Sequence, residues 1–164
     1  MADGDAGEYV RLPEIEDVVR ICRALNAAGA RYLLIGGFAV IAHGLGRTTK
    51  DIDFLVDDAP ENVARIKIGL DVLADQAARE LDNDDLRRYT VVRVADEVLV
   101  DLLGRACGLT YHEAVGDAEV FELQGVNIPI ASKRTLIRTK DTVRPSDHAD
   151  RLFLEALLRS ETGG

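Results

Sequence analysis

The chain has 164 residues, a length that fits one domain with a hydrophobic core of its own. Hydrophobic residues make up 47% of it, yet no apolar run reaches the ~20 residues that a membrane-spanning helix needs. The formal net charge of -9 argues against an extended DNA-binding surface, which requires clustered cations facing phosphates. Because the acidic, polar N-terminus has no signal-peptide pattern, we expect a cytoplasmic protein that does not contact membranes.

The first half of the chain predicts alternating helices and strands. Residues 1–12 lack periodicity and are expected to be flexible, whereas 13–160 are expected to form a single domain. Apolar residues at helical spacing over 13–28 predict an amphipathic helix, with Asp17 on a polar face that we expect to be solvated. A buried strand over 31–35 and a second amphipathic helix over 60–78 follow from the same reasoning.

The second half predicts two hairpins and two further helices. The charged stretch 79–88 is typical of turns, and a short helix is predicted over 109–115. The predicted elements that remain are strands 89–94, 98–103, 118–123 and 126–130, a helix over 133–142 capped by Ser132, and a last helix from Pro145 whose apolar stripe is Ala149, Leu152, Phe153, Ala156 and Leu157. This order indicates an α/β (α+β) fold, a mixed sheet flanked by helices.

The densest chemistry lies in residues 32–57, YLLIGGFAVIAHGLGRTTKDIDFLVD. Asp51 and Asp53 are two residues apart on a predicted strand, so both side chains leave the same face, roughly 7 Å apart at their attachment points. Two such carboxylates repel each other unless a cation lies between them, and magnesium prefers oxygen ligands. Asp101 is the candidate third ligand, because a lone carboxylate in the apolar strand VLVDLLG is costly to bury unpaired.

Gly36 and Gly37 supply a possible phosphate-binding half. Glycines between a strand and a helix let backbone N–H groups approach a phosphate, and Arg47 and Lys50 could neutralise further charge. Each feature also has a purely structural interpretation. The glycines could form an ordinary turn, Asp-x-Asp occurs on solvated edge strands, and Asp101 could hydrogen-bond a neighbouring helix.

Taken together, IGGFAVIAHGLGRTTKDIDFLVD and the later VLVDLLG resemble the polymerase-β-type nucleotidyltransferase superfamily. That superfamily is marked by a strand, Gly-Gly or Gly-Ser, an Asp-x-Asp pair and a third carboxylate downstream. The segment KDTVRPSDHAD over 140–150 is similar to the signature of its small bacterial, minimal or AbiEii-like branch, which is related to type IV toxin–antitoxin systems.

The resemblance implies a polymerase-β-like fold and transfer of a nucleoside monophosphate from an NTP to a tRNA, a protein or a small molecule, with release of pyrophosphate. It implies two magnesium ions, with manganese as a substitute, and an antitoxin partner or a homodimer. By this resemblance Gly36 and Gly37 would bind the triphosphate, Asp51 and Asp53 would bind the metal ions, and Asp101 would help to activate the acceptor. Lys140, with Arg144 alongside, would contact phosphate or the acceptor. Asp147 and Asp150 would support Lys140 and Arg144.

Three alternatives stay open at this point. A non-catalytic nucleotide-binding or antitoxin-type module could keep the fold without turnover. An aminoglycoside-type enzyme would suit the acidic balance, since its acceptor is cationic. The acids and bases of 140–150 could equally form ordinary surface ion pairs. Gly37 stands where many superfamily members have serine, so a hydroxyl contact to phosphate is lost there.

Overall fold

A computed structural model describes residues 10–142 and 144–162. It confirms a mixed sheet flanked by helices, with six strands in the order β3-β4-β2-β1-β8-β7 and a separate β5-β6 hairpin. The helices are α1 Ile15–Ala27, α2 Gly36–Ala42, α3 Pro60–Leu70, α4 Asp85–Arg88, α5 Tyr111–Ala114, α6 Lys133–Thr139 and α7 Pro145–Thr162. The strands are β1 Tyr32–Ile35, β2 Asp51–Val56, β3 Val91–Ala95, β4 Leu99–Leu103, β5 Arg105–Ala106, β6 Leu109–Thr110, β7 Glu119–Leu123 and β8 Val126–Ile130.

The centre of the sheet brings three sequence segments to one place. Strand β2 pairs antiparallel with β1, which sets Ile35 opposite Asp53. It also pairs in parallel with β4, which sets Asp53 opposite Asp101. Side chains of paired residues in a sheet leave the same face. The pairing therefore places the two carboxylates beside each other and next to the end of β1.

The two faces of β2 have different roles. Ile52, Phe54 and Val56 are fully buried, and the Phe54 ring meets Tyr32 edge-to-face with the ring centroids 5.4 Å apart. The Tyr32 hydroxyl donates to Asn26 on α1 at 2.7 Å, so this apolar face packs towards α1. Asp51 and Asp53 alternate with those residues and point to the opposite face.

The second predicted helix is shorter than expected. Helix α3 ends at Leu70 rather than near residue 78, and a short 3-10 turn follows at Ala77–Glu80. The buried Asp96 carboxylate accepts the backbone N–H groups of Asp75 and Ala77 at 2.8 Å, which holds this segment in a non-helical path. Two apolar residues of the helix predicted over 60–78 are exposed: Ile68 within α3 is 68% exposed, and Val72 just after its end is 40% exposed. The stretch 79–88 also holds helix α4, where only turns were predicted.

Helix α7 buries only part of the predicted apolar stripe, since Phe153 is half-buried against the core and Leu157 is half-buried. Ala149, Leu152 and Ala156 are exposed, whereas Asp147, Asp150 and Leu154 are buried. The apolar pattern failed here because the two acids are bonded to cations on the inner side of the helix, as described below.

Asp17 on α1 was likewise predicted to be solvated but is buried. It accepts from the Arg11 guanidinium at 2.7 Å, and this bond holds the Asp17 pKa below its usual range. Arg11 also donates its backbone N–H to the Glu97 carbonyl at 3.1 Å. This end of the segment predicted to be flexible is therefore tied to the sheet, and residues 1–9 lie outside the described residues.

The remaining elements follow the predictions closely. Both hairpins are present, with antiparallel pairing of β3 with β4 and of β7 with β8. Ser132 caps α6 by accepting the Thr135 N–H at 3.1 Å, although the helix ends at Thr139 rather than at 142. The helix predicted over 109–115 is limited to Tyr111–Ala114. Among the described residues, no helix has the length and apolar character to cross a membrane.

Candidate metal and phosphate site

The three predicted carboxylates converge at the centre of the sheet. Parallel pairing of β2 with β4 puts Asp53 beside Asp101, and Asp51 projects from the same face of β2. One carboxylate oxygen from each of Asp51, Asp53 and Asp101 lies within 4.8 Å of the other two. Three hard oxygen donors at this spacing fit magnesium or manganese.

The pKa values of these acids also favour a bound metal ion at this position. Burial, followed by the charges of Asp51 and Asp101, raises the pKa of Asp53 to about 7. Burial and the charge of Asp101 also raise the pKa of Asp51. No backbone N–H, hydroxyl or cation of the described residues donates a hydrogen bond to Asp53. A half-buried carboxylate without a donor is unfavourable when ionised, and a bound cation would relieve that penalty.

Arg93, which the sequence reasoning missed, contacts two of the three acids. Its guanidinium donates to both Asp101 oxygens at 2.8 Å and to Asp51 at 3.0 Å, while about half of the side chain stays exposed. The signal was partly present in the sequence, because a hairpin with its turn at residues 96–98 pairs Arg93 with Asp101. An arginine in the otherwise apolar VVRVA could therefore have been matched to the lone Asp in VLVDLL.

The glycine pair makes room for side chains of the site. Gly36 has φ +70°, and a Cβ there would lie 2.1 Å from Asp53 Oδ2. A Cβ on Gly37 would lie 2.7 Å from Thr49 Oγ1. Only glycine leaves Asp53 and Thr49 in place at this junction. Gly36 lines the cavity described below and Gly37 does not.

The site also contains a group of cations that are held by buried acids. Lys140 is buried, and its Nζ lies 3.3 Å from Asp147 and 3.1 Å from Asp150. Arg144 forks onto Asp147 at 2.7 and 3.1 Å, and Arg47 is hydrogen-bonded to Asp150. Because both carboxylates are at most 2% exposed, these contacts are not ordinary surface ion pairs.

Asp147 remains ionised in this setting. Burial alone would raise its pKa, but hydrogen bonds from Arg144 and Thr142 and the charge of Lys140 outweigh burial and lower it. Asp147 thus provides a permanent negative charge that fixes Lys140 and Arg144 beside the cavity.

The acids and the cations line one cavity of about 300 Å³. It contains Gly36, Arg47, Asp51, Asp53, Asp101, Lys140, Arg144 and Asp147 from the predicted set, and Thr49, Arg93, Cys107, Thr139 and Ser146 among the residues that were not predicted. Asp150 lies behind this wall, in contact with Arg47 and Lys140. Lys50 is exposed and does not line the cavity, so its predicted phosphate contact has no support in the structure.

The architecture matches a known structure. A crystal structure of a "putative nucleotidyltransferase" from Thermotoga maritima covers 94% of this chain and 94% of its own, with a TM-score of 0.50 and 16% sequence identity. The likeness confirms a nucleotidyltransferase fold, and a shared fold does not by itself assign an activity. No family model and no curated protein matches the chain.

Proposed function

We propose that the protein is a metal-dependent nucleotidyltransferase that moves a nucleoside monophosphate from an NTP to an acceptor hydroxyl. The observation that carries this proposal is the cavity itself. It sets Asp51, Asp53 and Asp101 against Arg47, Lys140 and Arg144 within one small space. The carboxylates suit divalent cations, and the basic groups suit the anionic triphosphate that those cations accompany.

Asp51, Asp53 and Asp101 would hold the magnesium or manganese ions. When bound, such ions stabilise negative charge on the attacking oxygen and on the leaving oxygen of a phosphoryl displacement. The elevated pKa of Asp53 supports this assignment, since the acid is costly to ionise without a cation.

The cationic side would bind and orient the triphosphate. Lys140 and Arg144 are fixed by Asp147, and Arg47 is fixed by Asp150, so these groups need little reorganisation on substrate binding. In the transfer, the acceptor oxygen bonds to the α-phosphorus while the bond from that phosphorus to the α–β bridging oxygen breaks. The hydroxyl proton passes to a carboxylate, for which Asp101 is the candidate, and pyrophosphate leaves beside Lys140 and Arg144.

The segment 140–150 also supports the proposed AbiEii-like branch. The residues on which that resemblance depends, Lys140, Arg144, Asp147 and Asp150, form one connected network at the cavity. A toxin role and an antitoxin partner belong to this proposal, and their test is growth inhibition on expression of the wild type but not of the Asp53→Asn variant.

The catalytic proposal is tested with conservative variants of the acids. Asp51→Asn and Asp53→Asn should fold and should lose at least ~100-fold of the magnesium-dependent transfer of label from α-labelled NTPs to cell RNA or protein. Asp75→Asn, at an exposed position outside the cavity, is the matched control and should retain full transfer.

Undiminished labelling in both site variants would contradict the metal mechanism. The alternative of a non-catalytic binding module makes a different forecast for the wild type. It requires that no pyrophosphate is released with any acceptor, whether or not calorimetry detects nucleotide binding.

A further inference from the structure

A second cavity, of about 610 Å³, lies next to the first. The two cavities share Cys107, at the tip of the β5-β6 hairpin. Ala106 faces the metal and phosphate site, whereas Arg105 and Gly108 line the second cavity. The hairpin is therefore a common wall, and a ligand lying in the second cavity could reach the first over it.

The lining of the second cavity is basic, although the chain is acidic. It contains Arg87, Arg88 and Arg105 with Asp58 as the single acid, and we call it the arginine cavity. Three arginines against one acid give a formal local charge of +2 in a chain with a net charge of -9. This concentration of arginines favours an anionic ligand.

These arginines are available to a ligand. Arg87 approaches Asp58 only to 3.8 Å and Arg88 approaches Asp84 only to 3.9 Å, and both guanidinium side chains are more than half exposed. Exposed pairs at these distances are weak. Arg105 forms no salt bridge with any described residue. Phosphate oxygens could therefore replace the present partners at little cost.

An exposed aromatic ring lies among the arginines. Tyr89 is 60% exposed and lines the arginine cavity beside Thr90. In proteins that bind single-stranded nucleic acids, bases stack on aromatic side chains of a basic groove while the cations contact phosphate. The lining thus offers partners for both a phosphate and a planar ring.

We propose that the arginine cavity binds a phosphate group of the acceptor, so that the acceptor is itself a phosphate-bearing molecule. This inference rests on the proposed function. The arginine cavity adjoins the metal and phosphate site across the β5-β6 hairpin, so an acceptor held there would lie next to the proposed triphosphate. The net negative charge of the chain alone would favour a cationic acceptor such as an aminoglycoside. The positive local charge of the arginine cavity favours an anionic acceptor instead.

Binding is tested first, with the full chain and a labelled, short single-stranded RNA as the probe, by fluorescence anisotropy at low salt. The double variant Arg88→Ala/Arg105→Ala should weaken binding about tenfold or more and reduce the salt dependence. Arg23→Ala/Arg159→Ala removes the same charge at exposed positions outside the cavity and should change binding less than about twofold. The proposal would be overturned if both double variants weakened RNA binding equally, or if neither variant weakened it.

Competition then identifies the source of the phosphate. A nucleic-acid end predicts that the RNA binds more tightly than a mononucleotide and that Tyr89→Ala weakens it. A small phosphorylated acceptor predicts that a mononucleotide or a sugar phosphate displaces the RNA fully. Tighter binding of a polyamine than of either phosphate compound would overturn the inference.

Steady-state kinetics separates this inference from the proposed function. If the function holds, wild-type protein transfers label, and Arg88→Ala/Arg105→Ala should raise the KM for the acceptor while leaving the KM for NTP unchanged. A raised KM for NTP would assign the arginine cavity to the nucleotide and overturn the acceptor role. Absence of transfer by the wild type would instead contradict the proposed function.

Discussion

At the scale of single residues, Arg93 is important because it contacts two of the three carboxylates that could bind a metal ion. Its guanidinium forks onto Asp101 and also reaches Asp51, so it neutralises charge where a metal would bind. Asp53 receives no such contact, and its pKa is the one raised to about 7. Arg93 and a metal ion therefore compete for oxygen lone pairs of the same two acids.

Replacement of Arg93 by alanine should tighten metal binding in the absence of nucleotide. Because about half of the Arg93 side chain is exposed, solvent screens its repulsion of a divalent ion to about 1.4 kcal/mol, so we expect roughly a tenfold lower Kd for Mn²⁺. Titration calorimetry of the metal-free protein with Mn²⁺ measures this directly.

The control for that experiment is Arg23→Ala, which makes the same change in net charge at an exposed position on α1. It should leave the Mn²⁺ affinity nearly unchanged. Equal or weaker Mn²⁺ binding by Arg93→Ala would show instead that Arg93 supports the acids rather than competing with the metal.

At the scale of elements, the junction between β1 and α2 fixes the position of Asp53. Strand β1 ends at Ile35 and α2 begins at Gly36, with no loop between them. The space that a Cβ of residue 36 would need is filled by Asp53 of the neighbouring strand. The glycines thus leave room for Asp53 and Thr49, while the approach of their backbone N–H groups to phosphate stays a prediction.

Gly36→Ala should be strongly destabilising. A positive φ costs an alanine about 1–2 kcal/mol, and the clash with Asp53 adds to this, so the free energy of unfolding should fall by roughly 2–4 kcal/mol. Urea denaturation measures the change. Gly46→Ala is the matched control, because no atom lies within 4 Å of the Cβ that it would add, and it should be nearly neutral. A Gly36→Ala protein as stable as the control would refute the packing role.

Sequence reasoning succeeded where a pattern is local. Alternation in β2 placed Asp51 and Asp53 on one face, and both hairpins followed from their turns. It failed on α7, whose buried acids are bonded to Lys140 and to residues distant in the chain such as Arg47. A contact between residues 47 and 150 depends on the packing of α7 beside the cavity, which no local spacing encodes.

At the scale of the whole molecule, the convergence of acids makes stability depend on pH. The Asp53 pKa of about 7 in the folded protein lies well above the ~3.9 of an unfolded Asp, so the folded state binds the proton more tightly. Ionisation of Asp53 consequently penalises the folded state above about pH 7, and the penalty fades as the pH falls from 7 towards 4. Asp17, Asp57 and Asp147 have lowered pKa values and act in the opposite sense only at lower pH.

In a chelating buffer, the contribution of Asp53 should thus make the metal-free protein more stable near pH 5.5 than near pH 8. Asp53→Asn should remove most of this difference and should raise the free energy of unfolding near pH 8 by about 1–3 kcal/mol. Thermal unfolding of both proteins at the two pH values measures the effect. A pH dependence that is the same in wild type and variant would show that Asp53 is not the group responsible.

The buried network of Lys140, Asp147 and Asp150 has a consequence for the order in which the site is made. The carboxylates belong to residues 51–101, whereas Lys140, Arg144 and both buried acids belong to 140–150. During synthesis, the acidic half is complete before any of the C-terminal cations exists. Arg47 and Lys140 reach their buried partner only when α7 docks, so the phosphate-binding side is assembled last. A nascent chain that stops before residue 140 carries the metal ligands but cannot hold a triphosphate as the full chain would.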